Sequence, residues 1–389
     1  MRESKRKLVV AVMAITLVVA ACGSSKKATP STTAAGGTTS SSTSGALTKV
    51  TLQLQWFIQA QFAGYFAALD KGYYKDAGID LTIKEGAVDI VPQTVLANGQ
   101  ADFALAWVPK ALASREAGAN IVDVGQIFQR SGTLQVSFKA KNITAPADFK
   151  GKKIGNWGFG NEFELFAGIT KAGLDPAKDV TLVQQQFDMK ALLAGDIDAA
   201  EAMTYNEYAQ VLEAKNPATG KLYTPADFNA MSYQQAGVGM LQDAVWADGK
   251  RLASDKAYQD LTTRFLQASM KGWVYCRDYV QQCADIVVAK GSKLGKSHQL
   301  WQMNEINKLI WPSASGIGIL DMTAWNQTVT IAQAAKNLEG KTVLTKAPDA
   351  TAEDMTYAKA AVDALKKAGV DVNGTGFAPI SVTLNEAGA

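Results

Sequence analysis

The chain has 389 residues, 47% of them hydrophobic and 19% charged, a composition that builds packed cores rather than a disordered polar chain. Its formal net charge of +3 resides in the first 21 residues, where Arg2, Lys5, Arg6 and Lys7 face only Glu3; from Cys22 onward 35 basic and 35 acidic side chains balance. A neutral body lacks the basic stripe that nucleic-acid binding needs, and one histidine with three cysteines is too few soft ligands for a His-based zinc centre.

After the basic start comes an apolar run from Leu8 to Ala21, shorter than the roughly 20 residues of a membrane-spanning helix. It reads as a cleaved signal over residues 1–21. Val19, Ala20 and Ala21 before Cys22 resemble a bacterial lipobox, which implies a diacylglyceryl group on the Cys22 sulfur and an extracytoplasmic chain anchored by lipid to the bacterial cell membrane. Residues 22–46, nearly all Ser, Thr, Gly and Ala, cannot bury enough apolar surface to order themselves and read as a tether.

From Val50 short apolar runs alternate with helical stretches. Strands are expected at Val50–Trp56, Ile79–Glu85, Phe103–Val108 and Ile121–Phe128, with helices at Gln61–Tyr74, Pro92–Asn98 and Pro109–Ala117 between them. A second series follows: strands at Lys153–Trp157, Val180–Gln185 and Ile197–Met203, helices at Glu162–Lys171, Met189–Ala194 and Asn206–Ala214. Long helices are expected at Lys256–Tyr275, Ser297–Ile310 and Ala352–Ala368, packing back onto the first series. This is an α/β rhythm of two lobes, each a mostly parallel sheet flanked by helices, with a ligand cleft between them. The expected boundaries are 47–137 plus 240–389 for lobe 1 and 138–239 for lobe 2, linked by extended segments near Arg130–Ala140 and Met231–Ala247.

Cys276 and Cys283 would sit about 10.5 Å apart on an unbroken helix, too far for a disulfide. Outside the cytoplasm two nearby thiols are expected to oxidise, so a bridge requires the helix to break between Arg277 and Gln282. The alternative is a pair of buried free thiols on one helical face. His298 stands in a polar helix start, Gly295–Gln299, with no G-x-S-x-G elbow in the chain, and reads as an exposed polar residue rather than a catalytic base. No catalytic residue and no cofactor are expected.

The ligand-binding candidates lie at strand ends, where sheets of this kind bind ligands. Trp56, Gln59, Gln61, Phe62 and Tyr65 follow the first strand and can stack a flat ring and hydrogen-bond its edge; Trp107 ends the third. The loop Gly155–Gly160 is neither a Walker A loop nor a dinucleotide fingerprint. Its Trp157 and Phe159 offer a stacking surface, and Glu162 at the following helix start repels anions. Glu201 and Tyr205 end the last strand of the second series. Arg130 and Lys110 are the cations that an anionic ligand would use.

The segment Leu54, Gln55, Trp56 through Gln61–Phe66 to Lys71–Tyr74, with Phe149–Gly155 and Leu193–Ala200, resembles the substrate-binding lipoproteins of ABC importers in the nitrate, sulfonate, taurine and thiamine-pyrimidine group. The resemblance implies a type II periplasmic-binding-protein fold and a monomer that closes over a small molecule and delivers it to a permease driven by an ATPase. Gln59, Gln61 and Phe62 with Trp273, Tyr275, Cys276, Arg277 and Asp278 look most like the riboflavin- and pyrimidine-binding branch, implying a planar heteroaromatic ligand. A sulfonate or nitrate ligand is the alternative. The thiamine-pyrimidine synthases of fungi share the fold and consume a histidine of their own with bound pyridoxal phosphate; here the second-lobe loop has no histidine, and the cysteine-rich iron motif is absent.

Overall fold

The computed structural model describes residues 46–389; the signal segment, Cys22 and the tether up to residue 45 lie outside them. Its strands are β1 (Thr48–Gln53), β2 (Ile79–Lys84), β3 (Phe103–Trp107), β4 (Ile121–Gln126), β5 (Thr133–Phe138), β6 (Lys153–Asn156), β7 (Thr181–Gln184), β8 (Ala200–Met203), β9 (Phe228–Ser232) and β10 (Asp243–Asp248). The first sheet has the order β2-β1-β3-β10-β4. β1 pairs parallel with β2 and β3, while β10 runs antiparallel to β3 and β4. In the second lobe β6 and β7 are parallel, β5 is antiparallel to β8 and β9, and a parallel bridge from Ile154 to Ala199 joins β6 to the start of β8.

Each lobe thus has one strand opposed to the others, and each of these, β5 and β10, is the first strand after the chain crosses from the other lobe. A chain arriving from the cleft side enters the sheet where its neighbours leave it. Consequently the first residues of the reversed strands lie beside the carboxyl ends of their neighbours: Asp243 opposite Trp107, Thr133 opposite Met203.

These two strands occupy what the sequence suggests are linking segments, Arg130–Ala140 and Met231–Ala247. The pattern conceals β5 because it buries polar residues, Thr133, Gln135 and Ser137, each hydrogen-bonded inside; Gln135 donates to the Gly155 carbonyl at 3.1 Å and accepts from Tyr233 Oη at 2.8 Å. The expected helix over Gln61–Tyr74 is broken into a turn at Ala60–Phe62 and helices at Ala63–Asp70 and Tyr73–Asp76, because Gly72 adopts φ 75°. Helices Gly249–Ser254, Val280–Ala289 and Met322–Ala334 join those expected.

The helix Lys256–Asp278 packs across Ala63–Asp70. The close approach is set by two glycines: a Cβ on Gly272 would lie 2.0 Å from the Gly64 carbonyl oxygen, and one on Gly64 would lie 2.2 Å from the Trp273 ring. Gly272→Ala is therefore expected to lower unfolding free energy by about 1–3 kcal/mol, read from denaturant unfolding; an unchanged midpoint would mean that the helices separate freely. At the far end of this helix Tyr279 (φ −130°, ψ 61°) interrupts the α-geometry before Val280–Ala289 begins. Across the break Cys276 and Cys283 form a disulfide with their Cα atoms 5.2 Å apart. Phe103 stacks on Phe265 at 4.3 Å and 10° to centre the first lobe's core.

Candidate functional site

Between the lobes lies a narrow cavity of ≈ 20 Å³, lined by Gln55, Trp56, Gln59, Gln61, Trp107, Trp157, Asn161, Met203, Tyr205, Asn206 and Glu207. Every one of these residues follows or ends a strand, β1, β3, β6 or β8. The fold therefore brings together side chains that are up to 152 residues apart in sequence, from Gln55 to Glu207.

Asp243, at the reversed start of β10, organises the first-lobe wall. Its carboxylate accepts from Gln55 Nε2 at 2.5 Å, from Trp107 Nε1 at 2.8 Å and from Gln61 Nε2 at 3.0 Å. Gln59 Nε2 donates to Gln61 Oε1 at 2.8 Å, so the amides form a chain ending on one carboxyl. The turn carrying them is pinned from below: the Ala60 N–H is held by Gln299 Oε1 at 2.7 Å and Gln302 Oε1 at 2.8 Å. Burial pushes Asp243 up to about 7, against the lowering pull of these donors. Gln55 Oε1 and Trp157 Nε1 are buried without a partner among the described residues, one acceptor and one donor unused by the protein.

The second-lobe wall is also acidic. Glu207 takes the Met203 N–H at 2.9 Å and Asn206 Nδ2 at 2.7 Å, one on each oxygen, and burial drives it up to about 8. Behind it Glu164 is raised to about 7 and Glu201 well above its ordinary value, both chiefly by burial. Lys110 is lowered to about 8 by burial and donates to Asn161 Oδ1 at 2.9 Å. A folded state that holds carboxyls above the ordinary value of about 4 binds extra protons between that pH and about 8. Raising pH through this window removes them and withdraws stability. The melting temperature is expected to be higher at pH 5 than at pH 8, and the opposite slope would mean that these carboxyls are ionised and paired.

Of the candidates read from sequence, Trp56, Gln59, Gln61, Trp107, Trp157 and Tyr205 line the cavity. Trp56 and Trp157 meet edge to face at 5.8 Å and 68°, forming one wall rather than a two-sided clamp. Tyr65 lies beneath, edge-on to Trp273 at 5.7 Å, and Glu201 lies under Trp157, whose backbone N–H it accepts at 3.1 Å. Phe62 is in the hydrophobic core with 0% exposure, because the turn at Ala60 points it inward. Phe159 faces solvent, 50% exposed, since Gly158, Phe159 and Gly160 are all left-handed and turn it outward. Glu162 folds back onto the Gly160 N–H at 2.9 Å. Arg130 is away from the cavity, donating to the carbonyls of Leu309 and Pro312 at 3.3 and 3.0 Å.

His298 departs from its expected exposure. It is fully buried, because the Glu207–Leu212 helix and the turn Glu386–Gly388 cover the start of its own helix, Lys296–Ile310. Sequence reasoning passes over Gln55, Asn161, Met203, Asn206, Glu207 and Asp243 as binding residues. The available signal was the run Thr204–Glu207 directly after a strand, where Tyr205 alone was singled out.

A family model described as NMT1/THI5 like matches residues 59–282. A formylaminopyrimidine-binding protein of Halalkalibacterium halodurans is 22% identical over 245 residues, covering 62% of this chain and 71% of that protein. A 4-amino-5-hydroxymethyl-2-methylpyrimidine phosphate synthase of Schizosaccharomyces pombe is 26% identical over 151 residues, 39% of this chain and 43% of that one. Among solved structures, the alkanesulfonate-binding protein SsuA of Xanthomonas axonopodis pv. citri, bound to MOPS, has a TM-score of 0.54 at 15% identity, covering 75% of this chain and 93% of that one. That likeness establishes the two-lobe periplasmic-binding-protein fold.

Proposed function

The chain belongs to the NMT1/THI5-like family, and from that premise we propose that it is the extracytoplasmic binding component of an ABC importer, whose ligand is a single substituted pyrimidine ring of the thiamine-precursor class. The observation that carries this reading is the Glu207 carboxyl, lining a small cavity and raised to about 8. Below that pH it holds a proton and offers an O–H beside a C=O, the complement of a ring nitrogen beside an amino group. Gln55 Oε1 and Trp157 Nε1, both unpartnered, supply a further acceptor and donor.

Size and charge weigh against the alternatives. A cavity this narrow has to open less for one ring with short substituents than for a tricyclic flavin. A sulfonate or nitrate is held best by cations, whereas the lining residues include no Lys or Arg, Lys110 is committed to Asn161, and Trp157 Nε1 is a single neutral donor. A synthase of the self-consuming kind needs a histidine at its ligand. The one histidine here is buried between Glu213 and Asn206.

Ligand bridging the lobes would favour the closed arrangement by its differential affinity, and a membrane permease with its ATPase would receive the loaded form. Lipid anchoring at Cys22, the 22–46 tether, a monomeric state and lobes of 47–137 plus 240–389 and 138–239 belong to the same proposal. Because Trp56, Trp107 and Trp157 line the cavity, titration with 4-amino-5-hydroxymethyl-2-methylpyrimidine is expected to change tryptophan fluorescence saturably; no change at millimolar ligand would refute the reading. Trp56→Ala should weaken that binding by about 1–3 kcal/mol, as lost ring stacking does, and an unchanged constant would make Trp56 a packing residue only.

A further inference from the structure

His298 does not line the cavity, yet it is bonded to Asn206, which does, and through Asn206 it reaches Glu207. Its Nε2 lies 3.0 Å from Asn206 Oδ1, and its Nδ1 lies 2.8 Å from Glu213 Oε1. Asn206 Nδ2 donates to Glu207 Oε1 at 2.7 Å, and both Asn206 and Glu207 face the ligand space. An amide has one accepting end and one donating end. With Nδ2 committed to the Glu207 carboxyl, Oδ1 is the end that meets the imidazole, so Nε2 must carry the hydrogen. The Glu213 carboxyl lies against Nδ1 and holds the ring's orientation, as carboxylates behind imidazoles do. Gln210 Nε2 adds a second, longer bond to Asn206 Oδ1 at 3.3 Å.

The arrangement is sealed. The Ala387 N–H bonds the Glu213 carbonyl at 3.1 Å, a Cβ on Gly388 would lie 2.8 Å from His298 Cβ and 3.2 Å from Glu213 Oε2, and His298 has no exposed surface. His298 rides on the helix whose Gln299 and Gln302 pin the Ala60 turn of the first-lobe wall. One helix therefore fixes both walls of the cavity, through amides on one side and an imidazole on the other.

We infer that His298, backed by Glu213, is a positioning residue for ligand selection: it fixes the Asn206 amide so that Glu207 presents its carboxyl to the ligand in one donor and acceptor pattern. This rests on the proposed aminopyrimidine reading. Without the imidazole N–H, only the longer Gln210 bond holds Asn206 Oδ1, and rotation of the amide by 180° turns Oδ1 toward Glu207 and forces the carboxyl to donate inward rather than to the ligand. A ligand with an amino group beside a ring nitrogen and its oxo counterpart then become nearly equivalent.

The test is calorimetric titration of the wild type, His298→Gln and His298→Phe with 4-amino-2-methylpyrimidine and 2-methylpyrimidin-4-one, with melting curves recorded in parallel. The wild type is expected to prefer the amino compound by at least about 30-fold, a discrimination that polar sites reach readily. His298→Phe should reduce the preference to less than about threefold, while His298→Gln, which keeps an N–H donor, should largely restore it. A merely structural role would weaken both ligands alike and leave their ratio intact, so a folded His298→Phe with the wild-type ratio overturns the inference. Should His298→Phe fail to fold, Glu213→Gln carries the test: a lowered ratio supports the positioning role and an unchanged one overturns it. A folded wild type that binds neither pyrimidine overturns the functional reading, and this inference with it.

Discussion

Replacing Glu207 with leucine is expected to weaken aminopyrimidine binding by at least about 100-fold. Two hydrogen bonds to the ligand vanish, and the Met203 N–H and Asn206 Nδ2 that ended on this carboxyl lose their acceptors in a buried place, each worth about 1–3 kcal/mol when orphaned. The same residue should set a pH profile. Pairing with an aminopyrimidine edge needs one proton between carboxyl and ring, and the free protein supplies it until Glu207 ionises near 8. Affinity should be flat from pH 6 to 7.5 and then fall by up to about tenfold per unit above 8, one ionisation's worth. Glu207→Gln, which cannot ionise, should remove that fall even if it binds more weakly. Calorimetry across pH 6–9.5 reads both effects, and a fall that persists in the glutamine variant would assign the proton to another group.

Asp243→Ala should be the most damaging substitution for the fold itself. Its removal leaves Gln55 Nε2, Gln61 Nε2 and Trp107 Nε1 pointing at an empty, buried position. At about 1–3 kcal/mol for each stranded donor, partly relieved by rotation of the two glutamines, the loss should be about 3–5 kcal/mol. That is a large share of the roughly 5–15 kcal/mol by which a typical domain is stable. Asp243→Asn keeps the shape and one acceptor, and should lose less. Denaturant unfolding followed by circular dichroism measures the difference. A wild-type midpoint in Asp243→Ala would mean that the three donors find other partners and that the carboxyl does not organise this wall.

Much of the cavity was legible because strand ends announce themselves. Trp56, Gln59 and Gln61 follow an apolar run and stand among aromatics, and Trp107 and Trp157 close runs of their own. The paired cysteines were legible for a geometric reason: seven residues of helix cannot be bridged, so a disulfide required a break, and Tyr279 supplies it where two free thiols on one face were the alternative. Asp243 was not legible. A single acid ahead of an apolar run has no periodicity, and its importance comes from register with Trp107, 136 residues earlier. The strand that carries it was hidden for a related reason, since residues 238–242 run extended into it and no break marks where the strand starts. His298 misleads by its neighbours, as Gly295, Lys296, Ser297 and Gln299 suggest a solvated helix start, whereas the cover over it comes from Glu213 and Gly388. Phe62 and Phe159 show the converse: residue type marks an aromatic as able to stack, but only backbone conformation decides whether it points to core, cavity or water.

The central claim is that this cavity selects a small neutral nitrogen heterocycle over an anion or a flavin. A single calorimetric series on residues 46–389 at pH 7, with 4-amino-5-hydroxymethyl-2-methylpyrimidine, riboflavin, taurine and nitrate, tests it most directly. Saturable one-to-one binding of the pyrimidine alone is the predicted result. Saturation by taurine or nitrate with no pyrimidine signal would contradict it, and would place the ligand against Lys110 and backbone donors rather than against Glu207.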